Sequence, residues 1–407
     1  MTPGLGGPLT AAAAGPLSHN RFWRPGVVQT VSPPGVLDLG PGYLQPGLLP
    51  VDLLRGAYSA ALAEFGAAAL AYGNNEGALP LREALADRVT KSEGCLCGPE
   101  NVVLTAGTSQ ALQLIATTLA SPGEVVFTDR ICYDLARALF LDCGLRLREV
   151  PTDSGGMDPV ALAEAVADER AAGRNPAFVY ATPTFHNPTG LLVPAARRAE
   201  LVAAASSLGV LIVEDDAYAE LELDGQETPR SLAGLAGHRG VVRLRTFSKT
   251  LAPGLRLGWL LAEPAMAARL AAHGMFVSGG CVNHTTSLAV AMLLRSGEYD
   301  AYLRWLRARL RERRDALVSA LTERLPEDIG FDTPGGGFFL WLRARRRHTE
   351  RGLVESAAAS GVAVGAGSRF GTTQAPSVRL SFSFNPPETL ASAARRLATA
   401  WTGHHTA

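Results

Sequence analysis

The sequence contains very little lysine. Of its 38 basic residues only two are lysines, Lys91 and Lys249, and the rest are arginines. Arginine stays protonated in proteins, whereas a partly buried lysine can lose its proton, attack a carbonyl and form a Schiff base. Lys91 lies in the polar segment TKSEG, and Lys249 lies in the run TFSKTLAPGLRLGW. We take Lys249 as the first candidate for covalent chemistry, although arginine-rich coding alone could also leave two lysines by chance.

The chain also lacks an excess of charge of either sign. Its 38 acidic residues balance the 38 basic ones, and it has no long basic block. This composition gives no reason to expect a nucleic acid or an anionic membrane as a partner. The arginine-rich stretch RWLRARLRERRD is interrupted by acidic residues, which is typical of a solvated helix face. A balanced charge is compatible with a small-molecule ligand.

Cysteine is scarce, with five residues scattered through 407. An odd number in a long chain favours reduced thiols and a cytoplasmic location over a disulfide framework. Cys95 and Cys97 form a CxC pair without a second pair or nearby histidines, so we predict no metal site.

Two stretches that could be long enough to span a membrane, 101–123 and 271–294, lack charge for more than 20 residues. Both contain Asn, Gly, Ser and Thr, which makes them too polar to face lipid. The opening segment, rich in Ala, Gly and Pro, has no basic region ahead of an apolar core and does not resemble a secretory signal. We therefore predict buried segments of a globular protein and a disordered N-terminal arm.

From about residue 100, short β-rich runs alternate with longer amphipathic segments. The predicted strands are NVVLT at 101, VVFTD at 125, RLREV at 146, AFVYA at 177, VLIVE at 210 and VVRLR at 241. Such alternation predicts a mostly parallel sheet covered on both faces, whose ligands bind beyond the carboxyl ends of the strands. After residue 271 the pattern changes to a long helix near 302–325, then to the strand-like segments FFLWL, VAV and VRLSF, then to a final helix. We predict an arm at 1–45, a large domain at 46–285 and a smaller α+β domain at 286–407.

The segment TAGTSQ, at 105–110, lies between a predicted strand and a predicted helix. A glycine turn followed by Thr108 and Ser109 offers backbone N–H groups, the positive end of the helix dipole and hydroxyl donors, which together can bind phosphate. The same residues would also serve as an ordinary helix cap.

Polar side chains follow the next strands. Asn187 lies in PTFHNPTG, and Asp215 and Tyr218 lie in VEDDAYAEL. An aspartate can pair with a protonated heterocyclic nitrogen, while an asparagine and a tyrosine can donate to a phenolate oxygen. Singly, each has a structural alternative, since Asn187 could make a turn and Asp215 could cap a helix. Together with Lys249 they predict a site for one aromatic, phosphorylated cofactor.

These motifs resemble those of the fold type I pyridoxal-phosphate enzymes, within the class I/II aminotransferases. The resemblance runs from about Asp38 to the C-terminus and rests on YGNNEGALPLREALA, TAGTSQAL, HNPTG, EDDAY, TFSKTLAPGLRLG, PGGGFFLW and VRLSFS, in family order. The branch most similar is that of the 2-aminoadipate and kynurenine aminotransferases, which also resembles the effector domain of MocR-type regulators. The resemblance implies pyridoxal 5'-phosphate as cofactor and an α/β fold, with a mostly parallel sheet in the cofactor domain.

The resemblance also implies a role for each matching residue. Lys249 would hold the cofactor as an internal aldimine and shuttle a proton, and Asp215 would keep the pyridine nitrogen protonated. Asn187 and Tyr218 would donate to the phenolic oxygen. The other implied contacts are ring stacking by Tyr133, phosphate binding by Thr108, Ser109, Thr246 and Arg256, phosphate binding across a homodimer by Tyr72, and substrate binding by Arg379, Gly40 and Asn187.

The chain departs from the family pattern at several positions. Ala217 and Ala366 stand where proline is usual, Ser287 stands where glutamine is usual, and TDRICYD lacks the usual DPGYP turn. Ala366, Ser287 and the altered turn are expected to border the substrate pocket or its lid, so the resemblance implies the cofactor but does not fix the substrate.

The leading hypothesis is an aminotransferase acting between an L-amino acid and a 2-oxo acid. The same cofactor could instead support a lyase, cyclase or oxidase. A regulator of the MocR type would need a DNA-binding domain ahead of this one, and only about 40 residues precede the resemblance. The substrate side chain stays open. Arg21 and Arg24 could reach a carboxylate and Phe22 and Trp23 an apolar group, although simple surface packing explains these four residues better than either. Asp38 and Glu76 could favour a basic substrate.

Overall fold

The computed structural model describes residues 32–33, 35–280, 282–345 and 347–402. The N-terminal residues 21–24, which we considered as substrate contacts, lie outside the described residues, as does Cys281.

The regular elements alternate along most of the described chain. The strands are β1 Leu37–Asp38, β2 Val102–Thr105, β3 Val125–Asp129, β4 Arg146–Val150, β5 Thr152–Asp153, β6 Gly156–Met157, β7 Pro176–Ala181, β8 Leu211–Asp215, β9 Val241–Thr246, β10 Gly258–Leu261, β11 Ile329–Phe331, β12 Phe339–Ala344, β13 Val362–Ala363, β14 Gly365–Ala366 and β15 Ser377–Ser381. The α-helices are α1 Val51–Phe65, α2 Leu79–Glu93, α3 Thr108–Leu119, α4 Asp134–Asp142, α5 Pro159–Ala171, α6 Ala195–Leu208, α7 Leu232–Leu235, α8 Pro264–Ala271, α9 Gly274–Gly279, α10 His284–Ser296, α11 Glu298–Arg324, α12 Glu350–Ala359 and α13 Pro387–Thr402.

The large sheet has seven strands in the order β2-β10-β9-β8-β7-β3-β4. It is mostly parallel, as predicted, since β3, β4, β7, β8 and β9 pair in parallel. The prediction of strict alternation between strand and helix is wrong at β10. This strand follows β9 without an intervening α-helix and runs antiparallel to both β9 and β2. A short apolar run such as GWLL does not reveal its direction.

Both faces of the large sheet are buried. On β7, Phe178 and Tyr180 point into one apolar cluster with α3, α4 and α8, while Val179 and Ala181 point into another with α5 and α6. Side chains alternate between faces along a strand, so a strand covered on both sides becomes apolar throughout. This layering leaves the strand ends as the place where polar groups collect.

The second main sheet has four antiparallel strands in the order β11-β12-β15-β14. The predicted strand VAV is not part of it, because β13 instead pairs in parallel with β1, with Leu37 opposite Val362. This pairing fixes the segment that leads to Gly40 beside the small sheet. The two sheets fall within the predicted large and small domains, whose boundaries stay a prediction.

Helix α11 was predicted to present its arginines to solvent. Arg304 and Arg311 are exposed, but Arg313 and Arg314 are buried. Arg313 donates to Gln45 Oε1, and Arg314 donates to the carbonyl of Pro334. The solvated face is therefore shorter than the sequence suggests. No helix among the described residues combines the length and apolarity that crossing a bilayer requires.

Candidate active site

The predicted site residues meet at the carboxyl ends of three neighbouring strands. Strands β9, β8 and β7 lie side by side in the sheet. Lys249 follows β9, Asp215 ends β8 with Tyr218 just beyond it, and Asn187 follows β7. Parallel strands bring these ends to one edge of the sheet, which is where ligands bind in such folds.

Lys249 is half-buried, and no carboxylate of the described residues is bonded to it. Its Nζ donates to the carbonyl oxygen of Gly42 at 2.8 Å and lies 5.8 Å from the centre of the Tyr218 ring. Burial lowers the pKa of Lys249 to about 8, a shift that Asp215 opposes and Arg379 reinforces. About a tenth of the amine is therefore neutral and nucleophilic at pH 7, far more than for an exposed lysine.

Asp215 is buried and has one free oxygen. Its Oδ2 accepts a hydrogen bond from the Tyr180 hydroxyl at 2.8 Å, while Oδ1 has no partner among the described residues. Burial raises the pKa of Asp215 to about 6, against the opposing effect of the Tyr180 hydrogen bond. Buried polar atoms are normally paired, so Oδ1 fits a donor such as a protonated pyridine nitrogen. Tyr180 was not predicted, because from sequence it looks like a core tyrosine.

The N-terminus of α3 meets Arg256, as a phosphate site requires. Arg256 Nη2 donates to the carbonyl of Ala106 at 2.9 Å, just before Thr108 and Ser109 open the helix. Gly107 has φ of 89°, and a Cβ there would lie 2.9 Å from Arg256 Nη2, so this position needs glycine. The guanidinium and the first N–H groups of α3 thus form a cradle suited to phosphate.

Thr246 lies beside this cradle. It pairs across the sheet with Gly258 on β10, and Gly258 also pairs with Thr105, which ends β2 just before the start of α3. Its hydroxyl donates to Ser248 Oγ at 2.9 Å and accepts from the Ser248 backbone N–H at 3.0 Å. Ser248 was not predicted, although it directly precedes Lys249 in the sequence.

Arg379 lies on β15 and contacts the other half of the site. It donates to Asn187 Oδ1 at 2.9 Å and to the carbonyl of Gly40 at 2.6 Å. Its guanidinium lies between two rings, 4.2 Å from the centre of Phe339 and 4.7 Å from that of Phe370.

The charge of Arg379 has no bonded carboxylate among the described residues. Both oxygens that it contacts are neutral, and its Nε is buried without a partner. Burial lowers the pKa of Arg379 to about 10, so it stays charged at neutral pH. A buried cation with spare donors fits an anionic group of a ligand.

Two tyrosines border the same space. Tyr218 is buried and packs edge-on against Phe338 and Phe339. Tyr133 directly precedes α4. Burial raises the pKa of both tyrosines, and the nearby charge of Asp215 raises that of Tyr133 further. Both phenols therefore stay protonated, and Tyr218 remains the hydrogen-bond donor that its predicted role needs.

Three other candidate positions differ in their burial and contacts. Tyr72 is 88% exposed, so its predicted contact needs a second copy of the chain. Ser287 is fully buried, and its hydroxyl donates to the carbonyl of Asn283 within α10. Asp38 accepts from the Gly40 N–H at 2.8 Å and from Ser32, so it supports the backbone at Gly40.

The chain matches known proteins over most of its length. Residues 49–397 match the family described as aminotransferase class I and II. The chain is 30% identical over 374 residues to aromatic-amino-acid aminotransferase 1 of Thermococcus litoralis, which covers 91% of this chain and 89% of that relative. It is 33% identical over 377 residues to the 2-aminoadipate transaminase of Thermus thermophilus, with 91% of each covered. Among solved structures it is similar to the kynurenine aminotransferase of Pyrococcus horikoshii in complex with PMP, with a TM-score of 0.85, 28% identity and 93% of both chains covered.

The comparisons agree with the sequence motifs and with the arrangement at the strand ends. A cradle for phosphate, a free carboxylate oxygen and a half-buried lysine amine fit one phosphorylated pyridine aldehyde. The chain belongs to the class I and II aminotransferases and is a fold type I, pyridoxal-phosphate-dependent aminotransferase.

Proposed function

We propose that Lys249 carries the cofactor, Asp215 pairs with its pyridine nitrogen, and Arg256 with the start of α3 binds its phosphate. The observation that carries this assignment is the common location of these groups at one sheet edge, with Asp215 Oδ1 unpaired. Bound pyridoxal phosphate supplies an aldehyde for covalent attachment and an electron sink for charge at the substrate α-carbon.

The chain's own residues then handle the proton. Released by the substrate, Lys249 takes the proton from the substrate α-carbon as a neutral amine and returns one at the cofactor side. Its pKa of about 8 supports both directions near neutral pH. The amide N–H groups of Asn187, whose Oδ1 accepts from Arg379, and the hydroxyl of Tyr218 donate to the phenolic oxygen. Tyr133 would stack on the ring of the bound cofactor.

We propose that Arg379 binds the α-carboxylate of the amino acid and of the 2-oxo acid. Phe339 and Phe370 hold its planar fork from both faces, and they also exclude water from it. A carboxylate arriving there would displace the contacts to the neutral oxygens of Asn187 and Gly40 or add to them. No carboxylate of the described residues is bonded to this buried guanidinium. Amino acids and 2-oxo acids always carry a carboxylate, so this unpaired charge supports them as substrates.

We further propose a homodimer with shared active sites. One surface carries exposed apolar side chains: Leu70 is 73% exposed, Tyr72 88%, Val277 59% and Met275 43%. Gly280, just after α9, lies against the carbonyl of Gly73, so the segment with Leu70 and Tyr72 adjoins the helix with Met275 and Val277. A second copy docking there would bury this surface and bring Tyr72 to the neighbouring phosphate.

We also propose a cytoplasmic location and a division of the chain at about residue 286. Four cysteines within the described residues are free thiols, namely Cys95, Cys97, Cys132 and Cys143, which supports a reducing compartment. The seven-stranded sheet ends at β10, and the four-stranded sheet begins at β11. This order supports a large cofactor domain followed by a small domain.

The test is a panel of L-amino acids mixed with cofactor-loaded protein in the absence of a 2-oxo acid. A transaminating substrate converts the bound cofactor to its amino form and releases its own 2-oxo acid, and an added 2-oxo acid restores the original spectrum. Release of ammonia, peroxide or a cyclised product instead would show that the chain runs a different reaction. The control is Lys249→Ala, which should not convert the bound cofactor with any amino acid of the panel.

A further inference from the structure

We propose that Tyr180 is a positioning residue of this enzyme: its hydroxyl fixes the Asp215 carboxylate so that the free oxygen faces the pyridine nitrogen of the cofactor. The inference rests on the function proposed above. It concerns a residue that neither the motifs nor the comparisons assign a role.

The sheet register brings the two side chains together. Strands β7 and β8 pair in parallel with Tyr180 opposite Val213. Asp215 lies two residues beyond Val213, so its side chain leaves the sheet on the same face as that of Tyr180. The Tyr180 hydroxyl donates to Asp215 Oδ2 at 2.8 Å, and Oδ1 keeps no partner among the described residues. The hydrogen bond therefore selects which oxygen is left for the cofactor.

The Tyr180 ring is held rigidly. Tyr180 is 1% exposed and packs edge-on against Phe140, with ring centres 5.4 Å apart. It belongs to the apolar cluster beneath α3 and α4, which also contains Phe178 and Val213. A phenol anchored in a packed core cannot follow a moving carboxylate, so it restricts the rotation of Asp215 about its side-chain bonds.

The electrostatics point the same way. Burial and the neighbouring Asp215 raise the pKa of Tyr180 well above its ordinary value, so the hydroxyl stays a donor. The hydrogen bond lowers the pKa of Asp215 against the raising effect of burial and so favours the ionised carboxylate. The adjacent carboxylate, Asp216, is bonded to Arg243 instead. Tyr180 also has a side-chain hydrogen bond with Thr182, which lowers the pKa of Tyr180 but does not outweigh burial.

The direct test is Tyr180→Phe, which removes one oxygen and keeps the ring. A single hydrogen bond to a charged group predicts about tenfold weaker binding of pyridoxal phosphate to the apoenzyme. It also predicts a lower kcat with a nearly unchanged KM for the amino acid, since Tyr180 does not reach the substrate. The matched control is Tyr302→Phe, which removes a tyrosine hydroxyl that donates to the carbonyl of Leu48 and should leave cofactor affinity within about twofold of wild type.

A second measurement needs no cofactor. The infrared difference between wild-type and Asp215→Asn apoenzyme reports the carboxyl band of residue 215, which should titrate near pH 6 in wild type. In a Tyr180→Phe background the same difference should titrate at higher pH, because a bond that favours the ionised form has been lost. An unchanged titration would contradict the proposal even if the variant were destabilised.

A double-mutant cycle separates positioning from packing. If Tyr180 acts through Asp215, then Tyr180→Phe should weaken cofactor binding in the wild-type background and have little further effect in Asp215→Asn. Equal losses in both backgrounds, or none in either, would overturn the role of Tyr180 while leaving the proposed function intact. Wild-type apoenzyme that bound no pyridoxal phosphate would overturn both.

Discussion

Arg379 on β15 donates to Asn187 Oδ1 at 2.9 Å, and this hydrogen bond joins the four-stranded sheet to the loop that follows β7 of the seven-stranded sheet. By the proposal above, the substrate carboxylate would bind at this junction, next to Asn187, which would contact the cofactor. A carboxylate bound to Arg379 would therefore also act on the position of the Asn187 side chain.

Arg379→Lys should raise KM for every amino acid substrate by about tenfold or more, because a bidentate fork stacked between two rings becomes a point charge. Steady-state kinetics with several amino acids checks this. Arg343→Lys is the matched control, since Arg343 lies on the adjacent strand β12 and pairs with the exposed Asp332. An unchanged KM in Arg379→Lys would remove Arg379 from the substrate site.

Lys249→Met should abolish covalent attachment of the cofactor. Borohydride treatment followed by denaturation and peptide mapping should leave the pyridoxyl label on Lys249 in wild type and on no residue in the variant. Lys91→Met, which changes the other lysine of the chain, should retain the label. Label that survives in Lys249→Met at wild-type yield would assign the chemistry to another amine.

The rate at which apoenzyme attaches pyridoxal phosphate should rise with pH and level off above about pH 8. Only the neutral amine attacks the aldehyde, and burial sets the pKa of Lys249 near 8 rather than near the 10.5 of an exposed lysine. Stopped-flow absorbance across pH 6 to about 10 measures the profile. A rate still rising steeply at the top of this range would mean that the lysine is not desolvated.

The same shift predicts how the stability of the apoenzyme depends on pH. Between about pH 8 and 10.5, Lys249 is neutral when folded and charged when unfolded, so the unfolded state binds more protons. The free energy of unfolding contributed by this group therefore rises with pH across that window and is constant below it. Urea titrations at several pH values check the sign, and the contribution should vanish in Lys249→Met.

The sequence predicted the strand ends and the residues that follow them, because strand, turn and helix start are local patterns. It did not predict the partners that set their chemistry. Tyr180 reads as core, and only the register of β7 against β8 places its hydroxyl on Asp215. Likewise, Phe370 and the carbonyl of Gly42 come from distant segments, and no local pattern reveals such tertiary contacts.

Tyr72 gives a test of the shared site. In a hybrid of one Lys249→Met chain and one Tyr72→Phe chain, one active site carries both defects and the other carries none. Hybrid dimers isolated with two affinity tags should therefore recover about half of wild-type activity, although each parent dimer is impaired. Hybrids no more active than the average of the parents would show that Tyr72 serves its own chain or none.

Arg256→Gln should weaken binding of pyridoxal phosphate much more than binding of pyridoxal. Arg256 reaches the start of α3 through the carbonyl of Ala106, so its charge is available to the phosphate and not to the ring. Removing a charge-assisted contact predicts about tenfold or greater loss of affinity for the phosphorylated form. Arg269→Gln is the control, because Arg269 also donates to a backbone carbonyl, that of Thr118, on the exposed surface. If Arg256→Gln lowers the affinity for pyridoxal phosphate and for pyridoxal equally, then Arg256 supports the fold of the loop and does not bind phosphate.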